Sequence, residues 1–439
     1  MKADKREKIQ HYIILCIFIL ALMIRIIYIW KTPYNVRQHD GGTIDGNIGH
    51  IGYIKYFLNG GMPWLSFDPR TYFQFYHPPL HHIIAALYIK VVMFLGGDLT
   101  QGFEALQFLI VFYSMVTLFF FYRILQICEI SDTALDIVLA IIAFQPSMII
   151  LSGSINNDEL CLMFMTSVIY FTLKWYDQPE MKNILKVCFC LIGSILSKES
   201  GLLLVPGITV VFAVSFFKNI KLFKKYIIQF MAFLALSIPL GLSWVGYTYF
   251  KFGMPINYVY QMDPANDQYV GYCTFLHRIL GFHGEAARVL FETFDGPHVD
   301  YNILLAILKS SSFGEYTLVA QGTFLYGVCF AMLIVNAIVI SWSVYSMIKC
   351  VWFWKKMNVM HMIFLVIVYF TIIGMYLKFC MKYPYTCSMD CRYTMVTILI
   401  GAVTIGKGLA CNKRRAGAIL GGGLSGLFCI TSVLMFVLL

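Results

Sequence analysis

The segment LHHIIAALYIKVVMFL, residues 80–95, determines the predicted topology of the chain. It is one of twelve apolar runs, the others being 13–30, 103–127, 134–151, 160–175, 184–196, 202–217, 226–250, 317–348, 359–377, 393–410 and 416–439. A membrane-spanning helix needs about 20 residues, which most of these runs supply with some trimming or extension. Residues 80–95 are shorter, begin with His81 and His82, and carry Lys90. We therefore interpret them as a helix lying in the membrane interface.

The composition makes the bilayer the solvent of this chain. Of 439 residues, 59% are hydrophobic and 13% charged, with a mean hydropathy of +0.73, whereas soluble domains carry about a quarter charged residues. We predict an all-α membrane protein, a polytopic bundle of about eleven transmembrane helices that forms a single domain over residues 1–439. In a membrane protein the net charge of +10 reflects basic cytoplasmic loops that face anionic lipid. It therefore does not indicate nucleic acid as a partner.

The basic clusters fix the predicted topology. They lie at residues 182–186, 218–225, 349–356 and 413–415. If residues 80–95 spanned the membrane, all four clusters would lie opposite the basic N-terminus; if they do not, all four lie with it on the cytoplasmic side, as the positive-inside rule requires. The N-terminus is therefore predicted to be cytoplasmic. Two long loops, residues 31–102 and 251–316, are predicted to be external and to contain interfacial helices.

The ionisable chemistry is concentrated in these two loops. They contain eight of the ten histidines: His39, His50, His77, His81, His82, His277, His283 and His298. A transporter would place such groups inside its helices near the membrane midplane, and here the apolar runs are almost free of them. We therefore expect an active site at the external face, with 251–316 covering its cavity.

The first loop begins with RQHDGGTID, residues 37–45. Two glycines after Asp40 allow the backbone to bend and a ligand to approach closely, although Asp40 taken alone could be a turn cap. Pro78 and Pro79 are favourable at a helix start because proline lacks the N–H that would be orphaned there, and they fix His77 at the mouth of the interfacial helix.

Six short motifs follow one another in a fixed order. They are HD (39–40), YHPPL (76–80), QPSMIILSGSINNDEL (145–160), SKESGLLLVP (197–206), SSFGEY (311–316) and SMDCRY (388–393). Over roughly residues 1–410 the ordered set resembles the dolichyl-phosphate-mannose–protein mannosyltransferase-like group, glycosyltransferase family 39 of the GT-C superfamily. The aminoarabinose transferases that modify lipid A are relatives of this group.

The resemblance implies a fold, a reaction and a base. Enzymes of this group take a sugar from a polyprenyl-phosphate donor at the external face of the membrane and transfer it with inversion. An acidic residue of the first external loop acts as the base, a role that falls on Asp40. The commoner form of this loop has an adjacent Asp-Glu pair, whereas here Gly41 follows Asp40; Asp45 is the second candidate.

The departing polyprenyl phosphate is an anion and needs cations. Arg392 and Lys198 fall at predicted external helix ends, and arginine suits phosphate oxygens because its fork binds two of them. The alternatives are that Arg392 only pairs with Asp390, and that Lys198 only pairs with Glu199 or extends toward the headgroups.

Asp158 and Glu315 complete the predicted site. Asp158 follows Asn157 at a helix start, where it either caps the helix or contacts the sugar or acceptor. Glu315 likewise has either a purely structural role or a contact with substrate. Arg37, Asp45 and His77 are further candidates for substrate binding.

We predict no metal and no cofactor. His77 and His81, four residues apart and beside His82, suit a divalent ion in residue type, but their spacing matches no strong metal signature.

The leading hypothesis is thus a membrane glycosyltransferase of a bacterial cell membrane. Its partners are a polyprenyl-phosphate sugar donor, an external acceptor (glycan, lipid or protein) and the lipid bilayer. The alternative is a transporter or flippase of lipid-linked sugars, which would need polar residues or broken helices inside the bundle.

Overall fold

The computed structural model describes residues 2–281, 289–291, 301–352, 359–411 and 415–439, and its regular structure is helical. In chain order the helices are α1 Lys2–Lys31, α2 Gly49–Leu58, α3 Leu80–Phe94, α4 Leu99–Ile127, α5 Asp132–Ala143, α6 Pro146–Leu151, α7 Asp158–Asp177, α8 Met181–Ser197, α9 Val205–Lys218, α10 Phe223–Gly241, α11 Ser243–Phe252, α12 Phe275–Leu280, α13 Ile303–Phe313, α14 Phe324–Trp352, α15 Val359–Lys382, α16 Met395–Cys411 and α17 Arg415–Leu438. The predicted fold class, an all-α polytopic membrane protein, is confirmed.

Eight helical segments of the described residues are long and apolar enough to cross a membrane: α1, α4, α14, α15 and α17, and α9, α10 and α16 each taken together with the 3-10 turns that precede it. The other three predicted spans are shorter or interrupted. The run 134–151 is divided into α5 and α6 before Pro146, α8 has 17 residues, and α7 has 20 residues but begins with two acidic residues. The count of eleven spanning helices therefore stays a prediction.

The segment 80–95 folds as the short helix α3. It has 15 residues, which at about 1.5 Å per residue is roughly 22 Å, less than the ~30 Å of a bilayer core. Its first turn follows Pro79, as the two prolines predict. It packs against α2, α4 and α8 through Ala85, Ala86 and Ile89, within a small apolar core of the first loop. Residues 80–95 are thus too short to span the bilayer.

The long helices share one apolar core. Helix α7 packs against both α4 and α8, and α16 packs against both α5 and α14. Arg25 of α1 and Glu159 of α7 are fully buried ionisable side chains of these helices, contrary to the expectation that the helices are almost free of such groups. The guanidinium of Arg25 donates hydrogen bonds to Ser114 Oγ at 3.0 Å and to the carbonyl oxygens of Ala21 and Ala143 at 3.0 and 2.9 Å. Because these acceptors lie on three helices, Arg25 ties α1 to α4 and α5.

Polar contacts mark the two ends of the bundle. At the end of α7, Asp177 Oδ1 lies 2.8 Å from His361 Nε2 at the start of α15, and Tyr176 accepts a hydrogen bond from Lys218 at the end of α9. At the start of α7, Asp158 is paired with Lys198 and Arg392. Since a helix of 20 residues is about 30 Å long, the two groups lie at opposite ends of the bundle.

These contacts generate a topology prediction. Cysteines introduced at the exposed positions Asn47 and Asp263 should both react with an impermeant thiol reagent added outside intact cells, and a cysteine at Lys221 should react only after permeabilisation. The unmodified protein, which has exposed cysteines at positions 16 and 411, supplies the background. Labelling of Asn47→Cys and Asp263→Cys from opposite sides would contradict the predicted topology.

Candidate active site

Arg392 lies among carboxylates from three distant parts of the chain. Its Nη2 is 3.1 Å from Asp40 Oδ2 and 3.9 Å from Glu315 Oε1, and its Nη1 is 3.7 Å from Asp158 Oδ2. Only 5% of the Arg392 side chain is exposed. A buried guanidinium needs such partners because removing it from water is costly. Four of the predicted site residues therefore meet at one point.

The local chain explains where the guanidinium points. Arg392 lies in the 3-10 turn Cys391–Thr394, which leads into α16. The side chain of Asp390 caps this turn, its Oδ1 accepting a hydrogen bond from the backbone N–H of Arg392 at 2.6 Å. Asp390 thus pairs with the Arg392 backbone, which leaves the guanidinium to the three other carboxylates.

Lys198 belongs to the same group. Its ammonium donates to Asp158 Oδ1, whereas the neighbouring Glu199 accepts from the backbone N–H of Asn257 at 2.8 Å. The alternative of a Lys198–Glu199 surface pair is therefore not the observed arrangement. Lys198 Nζ and Arg392 Cζ also lie 5.1 and 5.0 Å from the ring centroid of Tyr393, within the range of a cation–π contact.

Asp158 is the first residue of α7 and Asn157 occupies the N-cap position. The backbone N–H of Asp158 donates to Asn156 Oδ1 at 3.0 Å, while its own carboxylate is turned toward Lys198 and Arg392. The carboxylate is therefore engaged in ion pairs and not in capping. An acidic group in the first helical turn is also favoured by the helix dipole.

Glu315 follows α13 after Gly314, whose φ of +63° turns the chain. Its Oε2 lies 3.1 Å from His39 Nδ1. Burial opposes charge on both groups, but Arg392 and His39 hold the pKa of Glu315 below its ordinary value, and Glu315 raises the pKa of His39. The pair therefore favours the ionised carboxylate.

Asp40 is the carboxylate of the group most open to solvent. Its side chain is 32% exposed, against 8% for Asp158 and 13% for Glu315. It has a left-handed φ of +54°, and its carbonyl oxygen accepts from His50 N at 3.1 Å. Two residues on, a Cβ at Gly42 would lie 2.2 Å from the carbonyl oxygen of Ile48, so this position requires glycine. The loop is thus folded tightly and presents Asp40 outward.

Three predicted residues, Arg37, Asp45 and His77, are not among the ion-pair partners of Arg392 in the described part of the chain. Arg37 donates to Thr32 Oγ1 at 3.3 Å, and Asp45 is exposed; in the described part of the chain no ion pair joins either to Arg392. The ring of His77 stacks on that of His50 with centroids 5.9 Å apart. Burial, followed by the charge of nearby Lys198, lowers the pKa of His77 to about 3, so its ring is neutral.

The histidines of the first loop do not gather their nitrogen atoms on one point. His50 Nδ1 lies 2.9 Å from His82 Nε2, while neither nitrogen of His81 has a hydrogen-bond partner among the described residues. Within the described ranges, the one group of at least three ligand atoms close enough for a metal ion consists of His39, Glu315 and Asp390. The sequence drew attention to His77, His81 and His82 and gave no role to His39, although it directly precedes Asp40.

Comparisons with known proteins agree with this architecture. Residues 76–244, less than half of the chain, match the family model described as dolichyl-phosphate-mannose-protein mannosyltransferase. The fold is similar to that of the oligosaccharyltransferase AglB from Archaeoglobus fulgidus in complex with an inhibitory peptide and a dolichol-phosphate, with a TM-score of 0.51 at 13% identity over 97% of this chain and 55% of that one. The apo form of the Archaeoglobus fulgidus enzyme gives a TM-score of 0.51 at 14% identity over 97% and 56%.

The chain thus spans little more than half the length of these archaeal structures, and the likeness concerns the fold. No curated protein matches the sequence. Over residues 76–244 the chain is thus similar to the dolichyl-phosphate-mannose-protein mannosyltransferase family, and over nearly its whole length its fold is similar to that of an archaeal oligosaccharyltransferase.

Proposed function

We propose that this chain transfers a sugar from a polyprenyl-phosphate donor to an acceptor at the external face of the membrane, with inversion at the anomeric carbon. The observation that carries the proposal is the position of Asp40. This carboxylate is fixed by Arg392 at 3.1 Å and is still 32% exposed, at the end of the bundle where the long loops meet the apolar helices.

Asp40 acts as the general base. An acceptor hydroxyl must lose its proton as it attacks the sugar, and a carboxylate about 3 Å away accepts that proton. Asp158 and Glu315 are more buried and are engaged by Lys198 and His39. Their part is to orient Arg392 and, for Asp158, to contact the sugar or the acceptor.

Lys198 and Arg392 stabilise the departing phosphate. Both cations lie against the ring of Tyr393, so a phosphate beside that ring would meet two positive charges. The Nε of Arg392 has no hydrogen-bond partner among the described residues, which leaves one donor of the fork unused. Charge that grows on the leaving group is stabilised most by cations already in place.

The matched family region and the similar fold support a polyprenyl-phosphate-linked sugar as the donor. One neighbour of similar fold is an oligosaccharyltransferase in complex with dolichol-phosphate and an inhibitory peptide. A flippase is less compatible with the structure, because the cations and carboxylates that would hold a lipid-linked sugar are gathered at one end of α7 instead of near the middle of the bundle.

The reaction is tested by incubating the purified protein in lipid nanodiscs with a panel of polyprenyl-phosphate sugars and with glycan, lipid and peptide acceptors. We expect release of the carrier phosphate that depends on one donor and one acceptor class. Movement of an intact lipid-linked sugar across proteoliposome membranes, without release of carrier phosphate, would instead support the flippase.

Asp40→Asn should lower turnover by at least about 10²-fold, within the usual contribution of a positioned base, because the amide keeps the size of the side chain but cannot accept the proton. Initial rates of sugar transfer measure this loss. Asp45→Asn, in the same loop but exposed and away from Arg392, is the matched control and should retain near-normal turnover. A nearly normal Asp40→Asn beside an inactive Asp45→Asn would transfer the role of base to Asp45.

Arg392→Ala should destabilise the fold as well as abolish transfer. It would leave three carboxylates without their shared cation, and breaking a buried ion pair typically costs about 3–5 kcal/mol. Arg392→Lys keeps the charge but loses the fork, so it should lose less stability and should weaken transfer less. Thermal unfolding and donor binding are measured on both variants.

Lys198→Ala is a parallel variant. It removes the second cation and should also weaken donor binding. Unchanged donor affinity and turnover in folded Arg392→Lys and Lys198→Ala proteins would show that these cations only fix the loops.

A further inference from the structure

Glu315 also belongs to a group of three possible metal ligands. His39, Glu315 and Asp390 each offer one nitrogen or oxygen atom, and these three atoms all lie within 4.8 Å of one another. They come from the first loop, from the segment before α14 and from the turn before α16. Two ligands on opposite sides of an ion at about 2.1 Å each would be about 4.2 Å apart, so the three atoms are close enough to surround one ion after small movements.

The carboxylates of this group have unused acceptors. Asp390 is 2% exposed, and while its Oδ1 accepts from the backbone of Arg392, its Oδ2 has no hydrogen-bond partner among the described residues. Glu315 Oε1 likewise accepts no hydrogen bond in that part of the chain, its nearest cation being Arg392 at 3.9 Å. A buried acceptor without a donor is costly, so these two oxygens need either a bound cation or a proton shared between the two carboxyl groups.

The charges around Arg392 also favour a bound cation. Four carboxylates, those of Asp40, Asp158, Glu315 and Asp390, lie in contact with Arg392 or its turn. The permanent cations of this group are Arg392 and Lys198. With all four carboxylates ionised, the group would exceed these cations by two charges, which one divalent ion would balance. Burial and the charge of Glu315 raise the pKa of Asp390 to about 7, so a proton is the competitor of the ion.

We propose that His39, Glu315 and Asp390 bind a divalent transition-metal ion, Mn²⁺ or Zn²⁺. One imidazole nitrogen with two carboxylate oxygens suits these ions better than Ca²⁺ or Mg²⁺, which prefer oxygen ligands alone. In the loaded site the ion replaces the hydrogen bond between His39 Nδ1 and Glu315 Oε2. It joins the first loop to the turn that carries Arg392, and the Tyr316 ring, whose centroid is 5.1 Å from that of His39, packs beside it.

Metal binding is measured without donor or acceptor, so it stands or falls separately from the proposed transfer reaction. The full-length protein is purified in the presence of a chelator, freed of it, and reloaded with Mn²⁺ or Zn²⁺. We expect one ion per chain by elemental analysis. The Mn²⁺ form should show nitrogen modulation from one histidine in electron spin echo experiments, and its thermal unfolding temperature should rise.

Variants identify the ligands. His39→Gln and Asp390→Asn should each weaken metal binding by at least about tenfold, since even outer-shell changes cost 10–100-fold, and His39→Gln should abolish the nitrogen modulation. His82→Gln is the matched control, because His82 is also a buried histidine of the first loop but belongs to the group around His50. It should bind the metal as the unmodified protein does.

The proposal is overturned if the unmodified protein binds no stoichiometric ion. It is also overturned if His39→Gln and Asp390→Asn retain the ion while His82→Gln loses it. A protonated-carboxyl infrared band that persists with metal supplied and disappears in Asp390→Asn would show that protons neutralise the group instead. If Asp390→Asn fails to fold, Glu315→Gln and the nitrogen modulation of His39→Gln decide the question.

Discussion

The ion pairs of Arg392 are the interaction on which the rest of this end of the bundle depends. Charge is expensive to remove from water, and the almost fully buried guanidinium of Arg392 is stabilised by the carboxylates around it. The carboxylates come from the first loop, from the start of α7 and from the segment before α14, as much as 352 residues away in sequence. Each of these chain segments must therefore reach the turn before α16, and their meeting fixes how the loops close over the bundle.

The bilayer supplies the complementary constraint. Backbone groups have no water to bind inside the membrane, so the apolar part of the chain forms helices, and the polar segments are confined to their ends. The tight turn at Asp40 and Gly42 and the capped turn at Asp390 belong to these ends, where irregular backbone is tolerated. Chemistry that needs charge, a bent loop and access to water is consequently gathered where α7 begins.

Much of this arrangement could be predicted from the sequence because helix parity is a strong rule. The sequence predicted that Asp40, Asp158, Lys198, Glu315 and Arg392 share one face, and the structure brings all five together. The pairings could not be predicted, since they depend on tertiary packing. Lys198 pairs with Asp158 and not with its neighbour Glu199, and the side chain of Asp390 accepts a hydrogen bond from the backbone of Arg392. His39 was missed because a histidine before an aspartate has no spacing signature. Arg37 and Asp45 form no ion pair with Arg392 among the described residues: Arg37 donates to Thr32 and Asp45 is exposed.

The charge of the site also limits how it can bind its proposed donor. A polyprenyl-phosphate sugar brings a negative charge to a group in which four carboxylates already outnumber Arg392 and Lys198. The carboxylates that pair with these two cations cancel part of the field that the cations present to a phosphate. An ion held by His39, Glu315 and Asp390 would remove two of those carboxylates from competition, and the guanidinium and ammonium would then face the donor with only Asp40 and Asp158 as counter-charges. Glu315 takes part in both proposals, since it orients Arg392 in one and binds the ion in the other, and a bound ion would add positive charge beside the two cations that face the donor.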